Sequence, residues 1–196
     1  MTFHCARAGL LGGAFRQEAE YAPDLSALAE RMDDALSRAA GRSLERGIAP
    51  EEFTTALLAE VSPQGDVLRL LNRGHPAPYL IHKGRLTRLD AAVPQLPLGM
   101  GLAEIGPSVG TGHPVTEVMP LPSGASLLMA TDGVTEARNR EGVFYDPCRS
   151  RLFRARFDDP ESLVRALTAD VHRWTEGAQQ DDMAILAVTR RDAESA

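Results

Sequence analysis

The chain has 196 residues, 43% of them hydrophobic and 24% charged, which is enough apolar material for one folded domain spanning 1–196. Its net charge of −6 repels a phosphate backbone or an anionic membrane on average, and no local basic patch offsets it, so nucleic-acid binding is excluded as a first reading. No apolar run approaches the roughly 18 residues of a membrane span, and two cysteines, Cys5 and Cys148, make no disulfide framework.

The opening MTFHCARAGLLGGAF lacks the basic start and unbroken apolar stretch of a signal peptide, so a soluble cytoplasmic protein is expected. The first forty residues read as two helices. Leu10, Leu11, Ala14 and Phe15 give a short apolar face. Asp24 then stands as an N-cap before Leu25, Leu28, Ala29, Met32, Ala35 and Leu36 at helical spacing. From Phe53 the texture changes to strands. FTTALLAEV and VLRLLN flank the turn residues SPQGD, and PYLIH and RLTRL flank Lys83-Gly84, which predicts two hairpins. A Pro- and Gly-rich loop, 91–114, leads to VTEVM, the turn PLPSG and an apolar strand from Ala125 to Ala130. Asp159-Pro160 starts a helix with Leu163, Leu167, Val171 and Trp174 along one side. MAILAVTRR closes the chain as a strand of about seven residues. Helices, several antiparallel strands, then helix and strand make an α+β layout.

Both apolar strands near the C-terminal end carry acid at one tip. Asp132 directly follows LLMAT, and Asp181 and Asp182 directly precede MAILAV. If the strands are antiparallel neighbours, these carboxylates meet at one edge of the sheet, where they repel unless protonated or bridged by cations. Hard divalent ions such as Mg²⁺ and Mn²⁺ take oxygen ligands of this kind. Each piece also has a plainer reading: Asp-Gly is a common turn pair, and an acidic pair before a strand is commonly a solvated start. Their joint occurrence is what raises the metal reading.

LLMATDGVTEARNREGVFY and QQDDMAILAVTRR resemble the closing motifs of the PPM-type (protein phosphatase 2C-like) metal-dependent phosphatases, in the bacterial branch typified by stage II sporulation protein E. LLNRGHPAPYLIHKGRLTRL resembles the Asn-x-Gly-His-x-Pro hairpin of that branch, and PLGMG and EEFTTALLAEV fall where it has a Pro-Leu-Gly loop and a Thr-Ala strand. The resemblance implies a β-sandwich of antiparallel sheets flanked by helices, with two Mn²⁺ or Mg²⁺ ions at one end. It implies hydrolysis of phosphoserine or phosphothreonine by a metal-activated water. Asp132 matches the Asp-Gly ligand and Asp181 the later ligand, while Asp182 occupies the next position. The implied partner is a phosphoprotein, in this family often an antagonist of an anti-sigma factor.

Other residues near the motifs divide between roles. Gly133 either lets backbone approach closely or takes a turn conformation barred to other residues. Glu136 invites a ligand assignment, but it reads better as a first-turn acid stabilising the helix after Gly133. His75 is a candidate general acid, though in a Pro-flanked turn it also serves to bond the loop, and Asn72 and Gly74 read as structural. Arg73 is a candidate phosphate contact, with an exposed surface arginine the simpler reading. Cys148 lacks the His, basic pair or phosphate-cradling loop that a thiol nucleophile needs.

The family also places two metal aspartates upstream, one of them in a Gly-Asp-x-x-Gly-x-Gly segment. The present sequence opens at Met1-Thr2-Phe3-His4, in what reads as the helix after that segment, so the domain is expected to be incomplete at its N-terminus. Two readings follow. The first is a metal-dependent serine/threonine phosphatase of bacterial signalling. The second is a catalytically impaired interaction module that binds a partner or dimerises through its first helices and exposed sheet edges.

Overall fold

In this computed structural model the described residues are 2–4, 10–45, 53–100, 113–157, 159–178 and 182–191. The elements in chain order are β1 (Thr2–His4), α1 (Leu10–Ala19), α2 (Leu25–Glu45), β2 (Ala56–Val61), β3 (Val67–Arg73), β4 (Tyr79–His82) and β5 (Arg85–Arg88). They continue with β6 (Glu117–Pro120), β7 (Ser126–Ala130), α3 (Asp132–Thr135), α4 (Pro160–Trp174) and β8 (Ile185–Thr189). The chain divides into two compact units. The first comprises Met1–Ser62, Val67–His75 and Ala91–Met119; the second comprises Pro63–Asp66, Pro76–Asp90 and Pro120–Ala196. No described helix is long and apolar enough to cross a membrane.

The first unit carries a sheet of order β1-β2-β3-β6. The predicted hairpin forms, with β2 and β3 antiparallel from Ala56↔Arg73 to Val61↔Leu68. Asp24 caps α2 as expected, its Oδ1 accepting the Ala27 N–H at 2.8 Å. Leu25, Leu28, Ala29 and Met32 then bury one helix face against Ala56, Leu58, Leu71 and Leu98. Residues 2–4 are not helical. Thr2, Phe3 and His4 pair antiparallel with Ala59, Leu58 and Leu57, because Thr and Phe suit a pleated surface and β2 offers an edge to pair with. Leu98 of the Pro-Leu-Gly loop exchanges backbone bonds of 2.8 Å with Thr54, so that loop and the start of the Thr-Ala strand meet.

The second unit carries a sheet of order β5-β4-β7-β8, antiparallel throughout. Lys83 and Gly84 have φ of +51° and +71°, the left-handed pair that a two-residue hairpin loop requires. β7 lies between β4 and β8 and is buried at every position. Asp159 caps α4, its Oδ1 accepting the Ser162 N–H at 2.7 Å, with Pro160 in the first turn. Leu163, Leu167 and Val171 of α4 pack with Leu128, Ala130, Tyr79 and Ile81, each large apolar side chain contributing about 1.5–3 kcal/mol on burial. The last strand is shorter than the sequence predicts, Ile185–Thr189.

A polar cluster ties the segment after α3 to α4. The Tyr145 and Ser150 hydroxyls each donate to Asp170 Oδ2 at 2.6 Å, and Arg173 Nη2 donates to Oδ1 at 2.6 Å. Burial raises the Asp170 pKa, but the bonds from Ser150, Tyr145 and Arg173 together outweigh it and hold the carboxyl below the ordinary aspartate value. Burial, reinforced by Asp170, pushes the Tyr145 hydroxyl well up.

Candidate metal centre

The acidic tip is built by the end of β7. An apolar run buried along its length delivers Thr131, itself 6% exposed, and the chain then turns at once into the single turn of α3. β8 runs antiparallel to β7, with Ala130 opposite Ile185, so the residues after β7 and those before β8 share one end of the sheet. Thr131 joins them. Its N–H donates to the Ala184 carbonyl at 3.0 Å, and its Oγ1 accepts the Ala184 N–H at 3.0 Å. The hydroxyl replaces a backbone carbonyl as acceptor, which extends the pairing beyond the strand and draws 182–184 alongside the turn.

Gly133 completes the approach. It is buried, and a Cβ built on it would land on the Asp182 carbonyl oxygen. The glycine is therefore needed for space. Its φ is not positive, so the reading of a barred turn conformation is set aside. Asp132 and Asp182 are both exposed. Asp132 Oδ1 accepts the Gly133 N–H at 3.0 Å, which orients the carboxylate.

The structure thus brings Asp132, Gly133 and the Asp182 backbone together. Asp181 lies outside the described residues. Asn72 and His75 belong to the other unit, where Asn72 clasps the loop: its Nδ2 donates to the His75 carbonyl and its Oδ1 accepts the His75 N–H, both at 2.8 Å. Gly74 between them has φ +71°.

Two expectations are corrected. Arg73 is buried. Its Nε donates to the Leu96 carbonyl at 2.5 Å and its Nη2 pairs with Asp33 Oδ2 at 3.1 Å, because a guanidinium taken from water needs this many acceptors. Asp33 Oδ1 also accepts the Gly99 N–H at 2.5 Å, so one carboxylate of α2 fixes both β3 and the Pro-Leu-Gly loop. Glu136 is not in a first turn; α3 is so short that Glu136 is its C-cap. Cys148 is exposed, and partial burial followed by the Asp146 carboxylate pushes its thiol up, which disfavours the thiolate a nucleophile needs.

Among the described residues no group of three or more His, Cys, Asp or Glu converges on a metal position. What the structure brings together is the exposed Asp132 carboxylate, oriented by a backbone N–H, and the backbone carbonyl of Asp182 beside Gly133. These are hard oxygen donors in a place water can reach, a set that fits Mg²⁺ or Mn²⁺ and would suit neither a soft ion nor a redox centre.

Comparison with known proteins bears on family and fold. The family model described as stage II sporulation protein E (SpoIIE) matches residues 5–191. No curated protein matches the chain. The SpoIIE phosphatase domain from Bacillus subtilis, presoaked with Mn, superposes with a TM-score of 0.58 at 15% identity, covering 97% of this chain and 77% of that one. The SiaA-PP2C domain of Pseudomonas aeruginosa gives 0.67 at 21%, covering 97% and 74%. The serine/threonine phosphatase PstP/Ppp of Mycobacterium tuberculosis gives 0.60 at 16%, covering 93% and 80%. A structure of the PstP catalytic domain, in complex with two manganese ions, gives 0.58 at 16%, covering 91% and 78%. At these identities the likeness shows the fold: antiparallel sheets flanked by helices, as in PP2C-like phosphatases.

Proposed function

The chain belongs to the stage II sporulation protein E (SpoIIE) family, and from that premise we propose that it is a metal-dependent protein phosphatase acting on phosphoserine or phosphothreonine. The observation that carries this reading is the forced meeting of the two acidic strand tips. Thr131 bonds Ala184, and Gly133 leaves room for the Asp182 carbonyl, which supports the reading that Asp132 shares a site with the acids before β8.

In this reading Asp132 and Asp181 hold Mn²⁺ or Mg²⁺, with Asp182 beside them. Two ions are expected in the complete family site. When bound, such ions polarise the phosphoryl oxygens and lower the pKa of a coordinated water. The chain's own residues prepare the place. The Gly133 N–H orients the Asp132 carboxylate, and the Thr131 hydroxyl fixes the distance between the strand tips. Solvent exposure of Asp132 and Asp182 leaves the site open to a phosphorylated segment of another protein. We take that protein to be a cytoplasmic signalling phosphoprotein, of the kind that antagonises an anti-sigma factor. His75, buried and clasped through its backbone by Asn72, serves the loop in this scheme.

The test is Mn²⁺-dependent hydrolysis of p-nitrophenyl phosphate and of a phosphoserine peptide. Turnover that is lost in a folded Asp132→Ala variant supports the proposal. A chain that binds a phosphoprotein with no turnover at any metal concentration is instead an interaction module.

A further inference from the structure

We propose that Lys83, Arg85, Arg151 and Arg154 form a docking surface for an acidic stretch of a partner protein; that this partner is the phosphoprotein substrate rests on the phosphatase reading above. All four residues belong to the second unit. Between 83 and 90 stand Lys83, Arg85 and Arg88 against Asp90, and between 146 and 157 stand Arg149, Arg151, Arg154 and Arg156 against Asp146. Neither run reads as a basic patch alone, but the fold sets them side by side. β5 lies against two short 3₁₀ turns, Pro147–Arg149 and Leu152–Arg154. Leu86 of β5 packs into one core cluster with Leu152, Phe153 and Phe157, which leaves the cations between them exposed. A Cβ on Gly84 would stand 3.4 Å from the Arg154 carbonyl oxygen, so the Lys83-Gly84 turn touches the backbone at Arg154.

The acids of these segments do not cancel the charge. Asp90 pairs with Arg88 at 2.8 Å and Asp146 with Arg149 at 3.4 Å, which removes both arginines from the count. Asp159 caps α4, its Oδ2 also accepting the Ser162 hydroxyl at 2.6 Å, and Asp170 pairs with Arg173. Asp158 lies outside the described residues, so Arg156, two positions before it, is not counted either. Among the described residues Lys83, Arg85, Arg151 and Arg154 make no ion pair. Four like charges held together repel one another, and carboxylates from a partner relieve that repulsion.

The charge selects an anion, and the surroundings select protein carboxylates. Ile81 pairs with Ser126, so the β4–β5 turn lies beyond the start of β7, whereas Asp132 follows its end. At the rise of a strand the separation is about 20 Å, too far for these cations to reach a phosphoryl group at Asp132. A nucleic-acid duplex needs a longer basic track, and the net charge of −6 repels the rest of it. An anionic membrane calls for apolar side chains to insert, and none of the exposed large apolar side chains lies in 83–90 or 146–157. Guanidinium forks match carboxylates directly. The phosphoprotein therefore carries its acidic stretch about six or more extended residues away from the phosphorylated one.

The full chain, without metal, is titrated into a fluorescein-labelled glutamate decapeptide and read by anisotropy. The decapeptide carries no phosphate, so its binding does not depend on the metal site. The proposal expects saturable binding that weakens about fivefold in Arg154→Glu and about twentyfold in Arg85→Glu/Arg154→Glu. Arg165→Glu makes the same change of net charge on α4 and should leave binding as it was. In a second arm, with Mn²⁺, the double variant should lower kcat/KM for phosphorylated casein about tenfold relative to that for p-nitrophenyl phosphate. A chain inactive on both substrates overturns the phosphatase reading and the partner's identity with it, while the decapeptide decides the surface itself. The surface is overturned if the folded chain does not bind the decapeptide, or if Arg165→Glu weakens binding as much as Arg154→Glu. It is overturned equally if duplex DNA or phosphatidylserine vesicles bind these four residues more tightly than the decapeptide does.

Discussion

The backbone carbonyl of Asp182 occupies the place where a side chain on Gly133 would begin. Two stretches of chain some fifty residues apart are thereby held closer than any residue but glycine permits. Gly133→Ala should force the Asp182 segment outward, at a cost of about 1–3 kcal/mol in stability. Urea unfolding measures that loss. Mn²⁺ titration of the folded fraction should show weakened binding, because the strand tips part.

Thr131 supplies the polar half of the same junction. Thr131→Val keeps the shape but takes away the acceptor of the Ala184 N–H, leaving a donor unpaired at about 1–3 kcal/mol. Thr131→Ser restores the acceptor. Valine should therefore lower both the urea midpoint and Mn²⁺ affinity, and serine should recover most of each.

Asp33 and Arg73 form a junction of similar logic in the first unit. Asp33→Ala strands the guanidinium and frees the Gly99 N–H, a loss on the order of 3 kcal/mol. Arg73→Lys keeps the charge but not the fork that reaches Asp33 and Leu96 together, so it should also destabilise, by less. Thermal melts of the variants rank them.

Acid should expose the Asp170 cluster. Its folded pKa lies below the ordinary 3.8, so its stabilisation is complete above that value and is lost as pH falls through the folded pKa. Urea midpoints taken from neutral pH downward should show this loss only below about pH 4. Asp170→Asn, which cannot ionise, should start lower and remove that part of the pH dependence.

Much of the fold was legible because its signals are local. Asp24 and Asp159 announce helices through their own side chains, and Lys83-Gly84 specifies a hairpin by turn geometry. The antiparallel pairing of β7 with β8 was legible from two apolar runs that carry acid at opposite ends. What could not be read depends on partners far along the chain. Arg73 looks like any surface arginine until Asp33, forty positions away, accepts its bond. Thr131 reads as a strand end until Ala184 meets its hydroxyl, and Gly133 as a turn residue until Asp182 crowds it. Thr2–His4 is too short for any periodicity to show, and α3 so short that the acid at 136 falls at its far end.

The central claim, that Asp132 and the start of β8 hold a divalent cation, is tested most directly by electron paramagnetic resonance titration of Mn²⁺ into the full chain and into Asp132→Asn and Asp181→Asn. The account predicts protein-bound Mn²⁺ in the parent chain and an affinity lowered about a hundredfold or more by either substitution, with circular dichroism unchanged. Binding that is equally tight in all three proteins, or absent from the parent at millimolar Mn²⁺, would contradict it.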